Sequence, residues 1–185
     1  MVEALPKPAS YDDLLSVPDI LVAEIIHGVL HTHPRPAPRH ARSSSVLGFQ
    51  IGSPYDLGSG GPGGWWILDE PECHLGDDIF VPDIAGWRKE NMPNLPETAW
   101  FELAPEWVCE VLSPSTARLD RAEKMPLYAH YGVKYIWLVD PDLKTLEAYK
   151  NVNGQWVLLT TLDNGKDVSI EPYDAISFSL STLWG

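Results

Sequence analysis

At 185 residues the chain is long enough to bury one sizeable core, and 44% hydrophobic with 21% charged residues is the balance of an ordinary globular protein. Against 26 acidic residues there are 13 basic ones, a formal charge of −13, which argues against tight nonspecific binding to a polyanion but leaves room for a local basic surface or recruited cations. Two cysteines, Cys73 and Cys109, exclude a disulfide framework; with no charged, apolar leader and no apolar run of membrane-spanning length, a cytoplasmic protein with reduced thiols is the expectation.

Residues 1–9 read as a loose, proline-containing lead. Ser10 is placed to cap a short helix, Tyr11 to Leu15, with acids in its first turn and Pro18 beyond its end. The apolar run 20–26 carries one acid, Glu24; His27-Gly28 is a turn signal and 29–33 the returning strand of a hairpin. A helix is expected over 38–56, broken near Gly52-Ser53-Pro54, and the glycine-rich stretch 58–64 is a loop. Strands follow at 65–69, 79–87 and 106–112, the last two joined by a proline-punctuated connection over 88–104. Ser113-Pro114-Ser115 ends the third strand. A helix over 116–131 is closed by Gly132, with Pro126 kinking or restarting it. Residues 133–139 read as a buried strand, and 144–150 with 155–161 as a hairpin turned at Asn153-Gly154. This order, with no linker inside it, specifies one mixed α/β (α+β) domain over 1–185.

Acids inside apolar strands are the informative feature. Val108-Cys109-Glu110-Val111-Leu112 is apolar on both faces except at Glu110, as in a central strand, and an ionised carboxylate there is costly unless it meets a cation or a donor network. Asp83 interrupts 79–85 in the same way, after a proline that marks a bend, and Glu24 is the third case. Carboxylates from neighbouring strands can hold a hard cation such as Mg²⁺. Any one of these acids can instead cap a loop or pair with a surface base.

Pro82-Asp83, then Glu110-Val111-Leu112-Ser113-Pro114-Ser115, Asp120, Lys124, Pro126-Leu127-Tyr128-Ala129, Gly132-Val133 and the run Tyr135 to Asp140, extending back through Glu24 to Leu30 and His40, resemble the Uma2 family. Its members are restriction-endonuclease-like proteins of the PD-(D/E)XK nuclease superfamily, and the resemblance runs over residues 10–180. It implies a restriction-endonuclease-like core, a mixed central sheet flanked by helices. It also implies a metal-dependent endonuclease acting on DNA. Asp83 then supplies the PD aspartate and Glu110 the acid of the (D/E)XK element. The usual lysine slot holds Leu112, and the resemblance hands that role to Lys124 on the next helix. Asp83, Glu110 and the Val111 carbonyl would hold Mg²⁺ or Mn²⁺, while Lys124 positions or deprotonates the attacking water. Asp120 and Tyr128 stand four residues either side of Lys124, where a helix lets them hold its side chain. Glu24 is an additional ligand or an orienting acid, and Glu70 a weaker candidate.

No acid occurs between Glu24 and Asp56, and Arg35, Arg39, His40 and Arg42 lie in that gap, a local basic patch able to contact phosphate or simply to form surface pairs. His31 and His33 share a strand face, which makes a zinc or manganese site conceivable, without a CxxC or HExxH partner motif. Trp65, Trp66, Trp107 and Trp137 read as packing, Cys109 as core on the face opposite Glu110, and the 58–64 loop lacks the lysine of a phosphate loop. The expectation is a metal-dependent endonuclease, with a homodimer as its assembly. A nuclease-fold module that acts by binding or assembly, and a histidine-liganded hydrolase of small molecules, stand as alternatives.

Overall fold

The computed structural model describes residues 7–185; of the expected loose lead, residues 1–6 lie outside them. Helix α1 (Tyr11–Leu15) starts on a capping box: Asp13 accepts from the Ser10 N–H, and the Ser10 hydroxyl oxygen accepts from the Asp13 N–H. Strands β1 (Leu21–Ile26) and β2 (Val29–Pro34) form the expected hairpin. Its two-residue turn places both His27 and Gly28 at positive φ, 53° and 72°, the geometry that matches the strand twist. Helix α2 (Pro38–Ile51) opens on a proline and gives way to a π-helical turn, Gly52–Asp56, at the expected break.

Beyond α2 come β3 (Trp65–Asp69), β4 (Cys73–Leu75), β5 (Asp78–Phe80), β6 (Ile84–Arg88) and β7 (Trp107–Val111). The single strand expected over 79–87 is thus two. β5 joins a small sheet in the order β2-β1-β5-β4, whereas β6 enters the large sheet between β7 and β3. Pro82 lacks the N–H a ladder needs, so the chain leaves one sheet there and enters the other two residues later. Asp83 stands at this crossing.

The helix expected over 116–131 has three parts: α3 (Ala117–Leu119), a π-helical turn (Asp120–Lys124) and α4 (Met125–His130). Pro126 cannot donate to the Ala122 carbonyl and its ring crowds it, and the wider turn upstream relieves this. The helices carry the chain to β8 (Tyr135–Asp140), parallel to β7, and the hairpin of β9 (Thr145–Val152) and β10 (Gln155–Asp163) completes a six-stranded sheet, β10-β9-β8-β7-β6-β3. A short pair, β11 (Asp167–Val168) and β12 (Phe178–Ser179), follows. The fold is therefore α+β, with a mixed central sheet flanked by helices, as expected.

Both faces of this sheet are covered. Trp107, Cys109 and Val111 pack toward α2 and the C-terminal segment, while Val108 and Leu138 pack with Phe80, Tyr128 and α4 on the other side. Trp107 and Trp137 are fully buried, so they are core, in keeping with their strand positions. No helix among the described residues is long and apolar enough to cross a membrane.

Candidate functional site

Glu110 enters the apolar face opposite Cys109 and is 3% exposed. What meets it is Lys124. The π-helical turn points this side chain into the protein, 2% exposed, with Nζ 2.8 Å from Glu110 Oε1, 2.8 Å from Glu24 Oε1 and 3.7 Å from Asp120 Oδ1. Lys124 Nζ also lies 6.0 Å from the centroid of the Tyr128 ring. The Tyr128 hydroxyl donates to Glu110 Oε1 at 2.6 Å. The Val81 N–H donates to Glu24 Oε1 at 2.8 Å, and His33 Nε2 lies 3.6 Å from Glu24 Oε2.

The charges in this cage are unequal in number. Burial opposes the Lys124 ammonium, but Glu110, Glu24 and the other acids around it hold it protonated, well above its usual value. Burial also pushes Glu24 up, yet Lys124, His33 and the Val81 N–H outweigh it and hold the carboxyl down at about 2. One ammonium cannot do this twice. Burial, joined by Asp120, Asp83 and Glu24, drives Glu110 well above the carboxylate range, and burial raises Asp120 too.

Asp83 approaches from the β5–β6 crossing. Its Oδ2 accepts from the Val111 N–H at 2.7 Å, which ties it to the strand carrying Glu110, and its Oδ1 lies 3.3 Å from His40 Nε2. Burial pushes the His40 imidazole down, and Asp83 with the Val111 backbone pushes it up and prevails. Its Nδ1 is buried without a partner among the described residues. A cleft of about 250 Å³ opens onto Asp83, Glu110, Asp120, Lys124 and His40, with Arg35, Glu70 and the Ser113–Thr116 turn at its walls. Within that turn the Ser113 hydroxyl meets those of Ser115 at 2.9 Å and Thr116 at 3.0 Å.

The three residues expected to converge, Asp83, Glu110 and Lys124, thus share one cleft. The basic patch does not hold together. Arg35 lines the cleft and pairs with Glu70, 3.7 Å away, but Arg39 and Arg42 line a separate cleft with Lys144, and Arg39 pairs with Asp142. Arg35 precedes α2, whereas Arg39 and Arg42 lie on it and face the second cleft. His33, a zinc candidate by its strand face, belongs instead to Glu24. The pairing of Glu24 with Lys124, 100 positions apart, has no local signal.

A family model described as "Uma2: Putative restriction endonuclease" matches residues 8–182. The chain belongs to the Uma2 family. A crystal structure of a "putative nuclease belonging to DUF820" from Anabaena variabilis shares the fold, with a TM-score of 0.77 over 96% of this chain and 98% of that one at 23% identity. A Synechocystis protein described as uncharacterized is 29% identical over 102 residues, 50% of this chain; the match spans about half of that relative, 54%.

In this Uma2 chain the donors suit a hard divalent cation. Two carboxylates, Asp83 and Glu110, face one cleft beside the Val111 backbone, and Mg²⁺ characteristically takes one or two carboxylates and keeps several waters. Asp83, Glu110 and Asp120 line the cleft with Lys124, Glu24 meets the same ammonium from behind it, and Glu24 Oε2 is buried without a hydrogen bond among the described residues. Around Lys124 the acids thus outnumber the ammonium, while Arg35 at the wall is paired with Glu70.

Proposed function

We propose that this protein is a metal-dependent endonuclease that hydrolyses phosphodiester bonds in DNA. The observation that carries this reading is the excess of buried carboxylate over ammonium at a cleft open to solvent. Asp83, Glu110 and the Val111 carbonyl would hold Mg²⁺ or Mn²⁺. Such an ion, when bound, lowers the pKa of a coordinated water and offsets charge on the phosphoryl group. Lys124 stays protonated in its cage, so it orients the attacking water and counters developing negative charge rather than taking a proton. Asp120 and Glu24 fix the ammonium, and Tyr128 fixes the Glu110 carboxyl through Oε1, leaving Oε2 for the cleft. Arg35 and the hydroxyls of Ser113 and Ser115 stand where a strand's phosphates would enter. A cytoplasmic homodimer would bring two such clefts to a duplex.

A second reading is a module of the same fold that binds or assembles without cleaving. It is favoured by one observation: among the described residues no three His, Cys, Asp or Glu side chains already surround one point, because Lys124 occupies the space between Glu24 and Glu110. Plasmid nicking in Mg²⁺ and in Mn²⁺ separates the two. Cleavage that requires the cation and disappears in folded Glu110→Ala and Lys124→Ala supports the nuclease. A wild type as inert as both variants on single-stranded and duplex DNA supports the module.

A further inference from the structure

We propose that the DNA strand in the cleft continues as an unpaired segment over the β1–β2 hairpin, along a groove in which Arg118 meets its phosphate and His31 stacks on its base. The inference rests on reading the cleft as a DNA site, and it names the substrate class: DNA whose scissile phosphate adjoins a single-stranded flank.

Two grooves continue the cleft, and their charges are opposite. One, of about 320 Å³, shares Val22, Arg35, Glu70 and Val81 with the cleft and runs on to Asp19 and Glu72. Arg35 is the single cation on its walls, and it is already engaged, 3.7 Å from Glu70 and donating to the Asp19 carbonyl at 2.9 Å. A phosphate entering there would meet Asp19, Glu70 and Glu72. The other groove, of about 480 Å³, shares His33, Ser115 and Thr116 with the cleft and runs on to Arg118, His31 and His27. The one acid on its walls, Glu123, faces His27 at 3.8 Å. Arg118 has no carboxylate within ion-pair distance among the described residues, whereas its neighbour Arg121 is clasped by Glu147 at 2.7 and 3.0 Å. A strand that leaves the cleft toward Arg118 therefore gains a free cation, and one that leaves past Arg35 gains repulsion.

The remaining walls fix the form of the nucleic acid. Ile26 and Leu119 lie in the groove beside the imidazoles of His27, His31 and His33. A paired base presents only its edges to a protein, whereas an unpaired base offers a face, and imidazole and guanidinium planes are among the groups on which such faces stack. His31 and His33 alternate onto one face of β2. His33 is held by Glu24 at 3.6 Å and His27 by Glu123, which leaves His31 as the ring of the three with no ion pair among the described residues.

Fluorescence anisotropy with a labelled DNA hairpin, either blunt or carrying a thymidine overhang of either polarity, tests this in EDTA and in Ca²⁺. An overhang of one polarity should bind about 10-fold tighter than the blunt hairpin, the scale that stacking of one base provides. Arg118→Ala should cut that advantage to less than about 2-fold and lower the slope of log K against log salt by about 0.7, the single-strand value for one phosphate. His31→Ala should weaken overhang binding by about 5-fold or more, and His31→Phe, which keeps an aromatic face without the imidazole nitrogens, should restore it. Asp19→Asn, in the acidic groove, should leave overhang binding within about 2-fold of the wild type. The proposal is overturned by a blunt hairpin bound as tightly as both overhangs, or by an overhang advantage that survives Arg118→Ala and His31→Ala in proteins of native circular dichroism. A gain on Asp19→Asn as large as the Arg118→Ala loss would overturn it too, and send the strand through the other groove. None of these readings involves cleavage. An overhang preference in a protein that never nicks plasmid keeps the groove and removes the nuclease, and nicking without that preference does the reverse.

Discussion

Two buried carboxylate sites in this molecule are built on opposite terms. Asp78, 6% exposed, accepts from the His27 N–H through Oδ1 and from the Tyr131 hydroxyl through Oδ2, both at 2.6 Å. Each oxygen has its donor, and the acid staples β5 to the β1–β2 turn and the end of α4. Around Lys124, by contrast, several acids compete for one ammonium, Glu24 keeps an oxygen without a donor among the described residues, and Glu110 is driven toward its protonated form. Burial of an acid therefore says little about function. A shortage of donors and of positive charge around it says more, because that shortage is what an incoming cation relieves.

The sharpest way to break this contrast is to remove the ammonium. Lys124→Met removes the one ammonium from the buried cage, leaving Glu24 only His33 beside it, and should cost about 3–5 kcal/mol in urea unfolding at neutral pH. Adding Glu110→Gln to Lys124→Met should recover part of that loss. If Lys124→Met is as stable as the wild type, the cage is not an ionic one.

Glu24→Gln tests the same side through pH. The Glu24 carboxyl lies at about 2 in the folded protein against 4.5 ordinarily, so its ionised form contributes stability above pH 4.5 that is lost as pH falls toward 2. The deficit of Glu24→Gln should accordingly be about 3 kcal/mol at pH 7 and should shrink between those limits. A deficit independent of pH would assign it to packing. Metal addition comes next: saturation with Mn²⁺ to about 100 times Kd should stabilise the wild type by about 2.7 kcal/mol. Asp83→Asn should abolish that gain. Asp78→Ala, though it costs about 1–3 kcal/mol for its stranded donors, should keep the gain in full.

How much of this is legible beforehand depends on whether the deciding interaction is local. The turns at His27-Gly28 and Asn153-Gly154 and the misplaced acids Glu24, Asp83 and Glu110 are, because residue chemistry and periodicity expose them. The switch of sheets at Pro82-Asp83 is only half legible: proline announces a bend, but no local propensity says that β5 and β6 find different neighbours. The partners of Lys124 are hidden in a different way. Counting four residues along an α-helix assigns it Asp120 and Tyr128, yet the turn is π-helical, Asp120 stands off at 3.7 Å, and the closer partner Glu24 comes from a distant hairpin. His40 is legible as a cation near the site and not as a group facing Asp83, since that depends on how α2 is rotated on the sheet.

The smallest expected effect concerns the divided arginines. Arg39 pairs with Asp142 at 3.5 Å with side chains 83% and 60% exposed, so Arg39→Ala should change stability by less than about 0.5 kcal/mol. Its use for DNA depends on where the strand runs. Arg35 lines the same cleft as Asp83 and Glu110, whereas Arg39 faces the neighbouring cleft. Fluorescence anisotropy across a salt series should then show Arg35→Ala lowering the slope of log K against log salt by about 0.9, the change expected when a single phosphate is no longer neutralised. Arg39→Ala should leave the slope unchanged. A comparable drop for Arg39→Ala would carry the strand over α2 into the second cleft, joining the two basic regions that the helix separates.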